Sequence, residues 1–319
     1  MMKNHAIARR VRELEQYAPM HTAQSDLADF WQYTLQQFKD KPLHAQQTKQ
    51  VTPMKAIESY QVIYEGFDDT PLHGIYVRPA DQKGQPIPCI VMFHGYTMNK
   101  GYPEDYAHWT AMGYAVFAID IRGQGGDTGN HLNSDFGMSS GWLSQGLLDK
   151  DHFYYRAITV DALKAIEWVA QQADVDHTKI AVYGSSQGGG LALITSALSD
   201  IPVIAVANIP NMSHMDFGIL NSESSLREAA QLVSRYPEHL DQVLETLSYF
   251  DMINLADRIQ VPILISCGLK DTVCMPETVY AVYNRIHSEK EMCLYPFDGH
   301  MVSPYHQRKT MEFVQKHFG

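Results

Sequence analysis

The sequence predicts an α/β fold, a doubly wound and mainly parallel sheet with helices on both faces and a helical insertion over one edge. The first observation is a set of short, near-continuous apolar runs: "IPCIVMF" (87–93), "YAVFAID" (114–120), "KIAVYG" (179–184), "VIAVAN" (203–208) and "VPILIS" (261–266). Strands that are apolar at every position are buried on both faces, as in a parallel sheet. The second is alternation: helix-length segments such as "YRAITVDALKAIEWVAQQ" (155–172) separate the strands. Strand and helix in turn mark a wound sheet. The third is the stretch 211–256, which breaks that rhythm with a polar, Met-containing helical pattern between two strands.

The elements follow in chain order. Residues 1–50 read as peripheral N-terminal helices. Within them "SDLADFWQYTLQQF" opens on Ser25 as an N-cap and places Leu27, Phe30, Trp31, Leu35 and Phe38 at helical spacing. "YQVIYEGFDDTPLHGIYVRPA" (60–80) reads as two strands and a polar turn. In the long helix, Ile158, Ala162, Ile166 and Val169 share one face. "QGGGLALITSAL" (187–198) continues as helix despite its glycines, "ETVYAVYNRI" is another, "EMCLYPFDG" a strand, and "YHQRKTMEFVQKHF" a closing helix. No repeat or low-complexity linker divides the chain, so residues 1–319 are expected to form a single domain. Ligands of such sheets bind at the carboxyl edge, where the 211–256 insertion is expected to sit.

Composition excludes several roles. The 319 residues are 45% hydrophobic and 19% charged, a globular profile. The net charge of −11 argues against nucleic acid or an anionic membrane as partner. The N-terminus lacks an apolar run of signal-peptide length, and no stretch approaches a membrane span, so a cytoplasmic protein is expected. Of the four cysteines none forms a C-x-x-C pair; Cys89, Cys267 and Cys293 read as small buried side chains and Cys274 as a semi-exposed loop residue. No His-x-x-x-His or Glu-His cluster supports zinc, and no cofactor or metal is expected.

The chemistry centres on "VYGSSQGGGLAL" (182–193). Gly-x-Ser-x-Gly fits in one frame, Gly184 to Gly188, which makes Ser186 the candidate nucleophile and Ser185 its neighbour. A strand precedes and a helix follows, the context of a strained elbow whose glycines relieve crowding. The backbone N–H of Gln187 then points at a forming oxyanion, beside the positive end of the helix. A phosphate loop would need Gly-Lys-Ser/Thr or Gly-x-Gly-x-x-Gly, and neither is here.

A serine needs a base, and the base an orienting acid, in the chain order serine, acid, histidine at such an elbow. Asp271 in "ISCGLKDTVCMPE" and His300 in "YPFDGHMV" each follow a strand. Asp298 is a rival acid but lies two residues from the histidine; His306 is a rival base inside the closing helix. The second oxyanion donor is expected in His94-Gly95-Tyr96, from the Tyr96 N–H, with the phenol available to cover the acyl pocket. His94 reads as structural.

Taken together these residues resemble carbohydrate esterase family 7, the acetyl xylan esterase and cephalosporin-C deacetylase group within the α/β-hydrolase fold. "IRGQGG" (121–126) is similar to its Arg-Gly-Gln motif and "GSSQGGGLAL" to its Gly-x-Ser-Gln-Gly motif. "GWLSQGLLDKDHFYYRAITVDALKAIEWV", "TLSYFDMINLADRIQVPILISCGLKDTVCMPETVYAVYN" and "DLADFWQYTL" extend the likeness from about residue 10 to the end. The resemblance implies Ser186, Asp271 and His300 as triad and Tyr96 and Gln187 as oxyanion donors. It implies deacetylation of xylo-oligosaccharides and of cephalosporin C, and a hexameric ring built as a trimer of dimers. Arg122, Gly123 and Gln124 read as a structural motif beside the site. The sequence departs from the family's His-Glu, having His300-Met301. Two other readings stand beside this one: a carboxylesterase or peptidase for a larger acyl or amide substrate, and a binding protein that keeps the fold without the chemistry.

Overall fold

A computed structural model describes residues 5–82, 84–134, 137 and 141–319. The chain runs α1 (Ala6–Glu15), α2 (Leu27–Lys39), β1 (Gln46–Gln50), β2 (Ile57–Tyr64), β3 (Leu72–Pro79), β4 (Ile87–Phe93), α3 (Ala107–Ala111), β5 (Ala115–Ile119) and α4 (Tyr154–Ala170). It continues through β6 (Val175–Ser185), α5 (Gln187–Leu198), β7 (Ile204–Asn208), α6 (Met215–Asn221), α7 (Leu226–Arg235) and α8 (Leu240–Ser248). It closes with β8 (Ile263–Gly268), α9 (Pro276–Tyr283), β9 (Lys290–Tyr295) and α10 (Pro304–Phe318).

The nine strands form one sheet in the order β1-β2-β3-β5-β4-β6-β7-β8-β9. From β5 to β9 every pairing is parallel, while β1, β2 and β3 join antiparallel at the other side. The continuous apolar runs are explained by burial on two faces. Cys89, Val91 and Phe93 of β4 enter one core with α4 and α5, while Ile90 and Met92 enter a second core with Phe313 and Val314 of α10. Helices α6, α7 and α8 lie between β7 and β8 in the chain, as the break in rhythm at 211–256 predicts. Asp251 anchors their base: its buried carboxylate accepts the His214 N–H at 2.7 Å and the Ile253 N–H at 3.1 Å. Burial pushes that carboxyl up to about 7 despite the donors.

The N-terminal region departs from its sequence reading in three ways. Residues 46–50 are strand β1, paired with β2, not helix. The cap position of α2 is Asp26, not Ser25, and its carboxylate is taken by Lys150 Nζ at 2.6 Å rather than by the helix. Nor is α2 peripheral. Trp31 is fully buried, its Nε1–H donates to the Tyr249 carbonyl at 2.9 Å, and its ring meets Phe30 and Phe250 edge-on. Burying an indole contributes about 4–6 kcal/mol of transfer free energy, so α2 is part of the core.

Candidate active site

The sharp turn between β6 and α5 puts Ser186 at φ 57° and ψ −118°. An L residue in that conformation is strained by roughly 1–3 kcal/mol and persists only where its surroundings hold it. Three hydrogen bonds do so: Ser186 N–H donates to the Asn208 carbonyl at 2.9 Å, and its own carbonyl accepts from Gly190 at 3.0 Å and Asn211 at 2.9 Å. The glycines are required by packing. A Cβ on Gly184 would lie 2.1 Å from the Gly188 carbonyl oxygen, and one on Gly188 would lie 2.0 Å from that of Phe93. Ser186 occupies the cap position of α5, so the first N–H groups of the helix lack intrahelical partners beside its hydroxyl.

Loops after β8 and β9 bring two side chains to this serine. His300 Nε2 stands 2.9 Å from Ser186 Oγ, and His300 Nδ1 stands 2.8 Å from Asp271 Oδ2. The second oxygen of Asp271 accepts the N–H groups of Val273 at 2.8 Å and Cys274 at 2.9 Å. The Asp271 side chain is fully buried and that of His300 is 26% exposed. A carboxylate acceptor at Nδ1 places the proton there and leaves Nε2 bare toward the hydroxyl, the tautomer that can take a proton from serine.

The rivals are elsewhere. His306 lies in α10, where its Nε2–H donates to Asn208 Oδ1 at 2.7 Å and its Nδ1 accepts from the Tyr295 hydroxyl at 2.9 Å; burial lowers it to about 4. The carboxylate on His300 is Asp271's, not that of Asp298. Cys274 is buried rather than semi-exposed, beside the Ser186 hydroxyl, and burial raises its thiol far above the ordinary range. It is protonated at neutral pH and a poor nucleophile.

The loop after β4 faces the elbow: a Cβ added to Gly95 would lie 3.7 Å from Ser186 Cβ. His94 is locked neutral, its Nε2 accepting the Ile121 N–H at 2.8 Å and its Nδ1–H donating to the Gly95 carbonyl at 2.8 Å. Both nitrogens are used by backbone, which makes it structural. The Tyr96 hydroxyl, expected over the acyl pocket, donates to Glu228 Oε2 at 2.7 Å and accepts from Trp142 N–H at 2.9 Å.

The Arg122-Gly123-Gln124 motif lies behind this loop. Gln124 Oε1 accepts the Thr97 N–H at 2.8 Å, while its Nε2 donates to Gln187 Oε1 at 2.8 Å and the Tyr154 hydroxyl at 2.9 Å. One buried amide thus ties the loop backbone at Thr97 to the Gln187 side chain at the start of α5. Arg122 is fully buried and forks onto both oxygens of Asp161 at 2.6 and 2.9 Å, with Asp68 at 2.8 Å. Gly123 makes the turn between them at φ 73°, a conformation that favours glycine. Among the described residues no group of three His, Cys, Asp or Glu side chains gathers as a metal site. No helix among them is long and apolar enough to cross a membrane.

Sequence reasoning missed Glu228, Asp251 and Asn208. Each acts on backbone or side chains far away in the chain, and only Asp251 falls in one of the stretches that carry the family resemblance.

A sequence model of the family described as acetyl xylan esterase matches residues 2–317. The chain belongs to that family. The family is one of carboxylic ester hydrolases, and this chain is an enzyme of that class with an α/β-hydrolase fold. Its fold superimposes on an acetyl xylan esterase from Paenibacillus sp. R4 with a TM-score of 0.93, at 39% identity, over 96% of this chain and 99% of that one. Acetyl xylan esterase 1 from Thermoanaerobacterium sp. JW/SL YS485 gives a TM-score of 0.91 at 28% identity, over 97% and 99% of the two chains. The acetyl esterase Axe7A of Xylanibacter ruminicola is 31% identical over 186 residues, 58% of this chain. The chain spans 42% of that curated relative's length in this match.

Proposed function

We propose that this chain is a serine esterase that removes acetyl groups from small acetylated substrates, acetylated xylo-oligosaccharides and cephalosporin C among them. The observation that carries the reading is the unbroken line Asp271–His300–Ser186, at 2.8 and 2.9 Å, ending on a strained elbow serine. His300 takes the Ser186 proton as Oγ attacks the acetyl carbonyl. The N–H groups of Gln187 and Tyr96 receive the oxyanion; as it collapses to the acetyl-serine the ester C–O bond breaks and His300 gives its proton to the departing oxygen, which leaves as an alcohol. Water, with His300 again as base, releases acetate and restores the serine. Asp271 keeps the imidazole in the working tautomer and stabilises its charged form. Each oxyanion donor contributes about 3–4 kcal/mol to lowering the barrier.

Two parts of the reading remain: a hexamer built as a trimer of dimers, which the family resemblance implies, and a cytoplasmic location, expected from a sequence with no stretch that approaches a membrane span. Sizing by sedimentation tests the first, since a monomer of 36.1 kDa is readily separated from six copies. The function itself is tested by turnover of p-nitrophenyl acetate, butyrate and octanoate, with Ser186→Ala as control. Acetate turnover that collapses with chain length and with the substitution supports the deacetylase. Equal rates on octanoate would keep the nucleophile and transfer the assignment to a carboxylesterase of larger acyl groups. Full activity in Ser186→Ala would end the proposal.

A further inference from the structure

Glu228 lies on α7, inside the insertion, and faces no part of the triad in the hydrogen-bond network. Its carboxylate nevertheless grips the other half of the site. Oε2 accepts the Tyr96 hydroxyl at 2.7 Å and the Leu143 N–H at 3.1 Å. The Tyr96 oxygen in turn accepts from the N–H groups of Trp142 at 2.9 Å and Leu143 at 3.1 Å, and the Trp142 indole packs edge-on against the phenol. Space is kept for this carboxylate: a Cβ on Gly141 would sit 2.0 Å from it. At the start of the same helix Ser225 Oγ accepts from Asn211 Nδ2 at 3.1 Å, and the Asn211 N–H donates to the Ser186 carbonyl. The insertion is therefore fastened both to the elbow and to the loop that carries Tyr96. On the far side of that loop Gln124 holds the next N–H, that of Thr97.

We infer that Glu228 is a positioning residue that sets the Tyr96 backbone N–H for the oxyanion by holding the Tyr96 phenol. The inference rests on the serine-esterase reading above. A tether acting on a donor used only in the transition state affects kcat and leaves KM in place. What Glu228 supplies is an acceptor, and a glutamine oxygen at the same place can accept the same two donors.

The experiment measures kcat and KM for p-nitrophenyl acetate, and inhibition by trifluoroacetone, whose hemiketal oxyanion occupies the same donors. The variants are Glu228→Ala, Glu228→Gln and Tyr96→Phe. Glu228→Ala and Tyr96→Phe are expected to lower kcat by about 10–100-fold, a misplacement effect, with KM within about threefold. Inhibition by the ketone weakens in parallel, and Glu228→Gln stays within about threefold of the parent in all three. Should Glu228→Ala fail to fold, Tyr96→Phe, which keeps the ring and deletes only the tethered oxygen, decides the matter. Unchanged kcat in Tyr96→Phe, a Gln variant as slow as Ala, or a fall in kcat with unaltered ketone inhibition would each overturn the inference. Ser186→Ala, run alongside, separates the two claims: its inactivity keeps the esterase reading whatever happens at Glu228.

Discussion

Replacing Asp271 by Asn changes one atom and is expected to reverse the imidazole. The two oxygens of Asp271 have different partners: one accepts the N–H groups of Val273 and Cys274, the other receives His300 Nδ1–H. An asparagine has one oxygen for these two places. With the oxygen toward His300, its NH2 would face two buried N–H donors and leave both unpaired, at about 1–3 kcal/mol each. The opposite orientation satisfies both N–H groups, and the NH2 then points at His300 Nδ1. It is favoured by about 2–6 kcal/mol on that count. Nδ1 must then accept, the proton moves to Nε2, and Nε2 can no longer take the Ser186 proton. The folded structure is preserved while kcat falls by about 10⁴-fold, which corresponds to about 5–6 kcal/mol of barrier. Steady-state turnover of p-nitrophenyl acetate, with a thermal melt as folding control, measures both. An Asn variant within tenfold of the parent would refute the tautomer argument.

Three further outcomes follow from the geometry. Gly188→Ala places a Cβ 2.0 Å from the Phe93 carbonyl oxygen, backbone against backbone, and is expected to give insoluble protein or a Tm lower by 5 °C or more, read by calorimetry. Arg122→Met leaves the carboxylates of Asp161 and Asp68 without their buried partner; the expected loss is about 3–5 kcal/mol in urea unfolding, and an unchanged midpoint would contradict it. His306 sits at about 4 in the folded protein, against an ordinary value near 6.5 in the unfolded chain. Between these values the unfolded chain binds a proton that the folded chain refuses. Its contribution to stability is complete above pH 6.5, falls as the pH drops and is gone below about 4, an effect of about 3 kcal/mol. The parent should therefore lose more stability than His306→Gln between pH 7 and pH 4.5, and equal losses would count against a buried neutral histidine.

The strands were legible because burial on two faces leaves no room for polar residues at any position. The position of Ser186 on the elbow was legible because a turn this tight excludes a Cβ two residues on either side, and glycine is visible in a sequence. The line of Asp271 and His300 to it followed from chain order. Tertiary partners were hidden. The spacing of Phe30, Trp31 and Phe38 says that α2 has an apolar face, but not that Tyr249 and Phe250 wait for it. Ser25 and Asp26 are both cap residues, and local preference cannot choose between neighbours when Lys150 claims one of them. Cys274 follows polar residues in a loop and reads as semi-exposed, whereas the loop folds inward so that its N–H reaches Asp271. Glu228 is one glutamate on an amphipathic helix, and its partner Tyr96 is 132 residues away.

The strand order has a consequence for when the protein can work. Ser186 follows β6, deep within the sheet, but Asp271 follows β8 and His300 follows β9, the last strand at the border. His300 meets Ser186 across 114 residues of chain. A ribosome-bound chain that has not yet released β9 holds Ser186 without His300, and by the proposed mechanism is silent. The same holds in reverse on heating or in urea. β9, like β1, is a border strand with a single neighbour and opens at lower free energy than the centre of the sheet, so hydrolysis should fade before the bulk of the sheet melts. By the proposed mechanism catalysis reports on the docking of one peripheral strand, and a refolding trace followed by activity should lag one followed by circular dichroism.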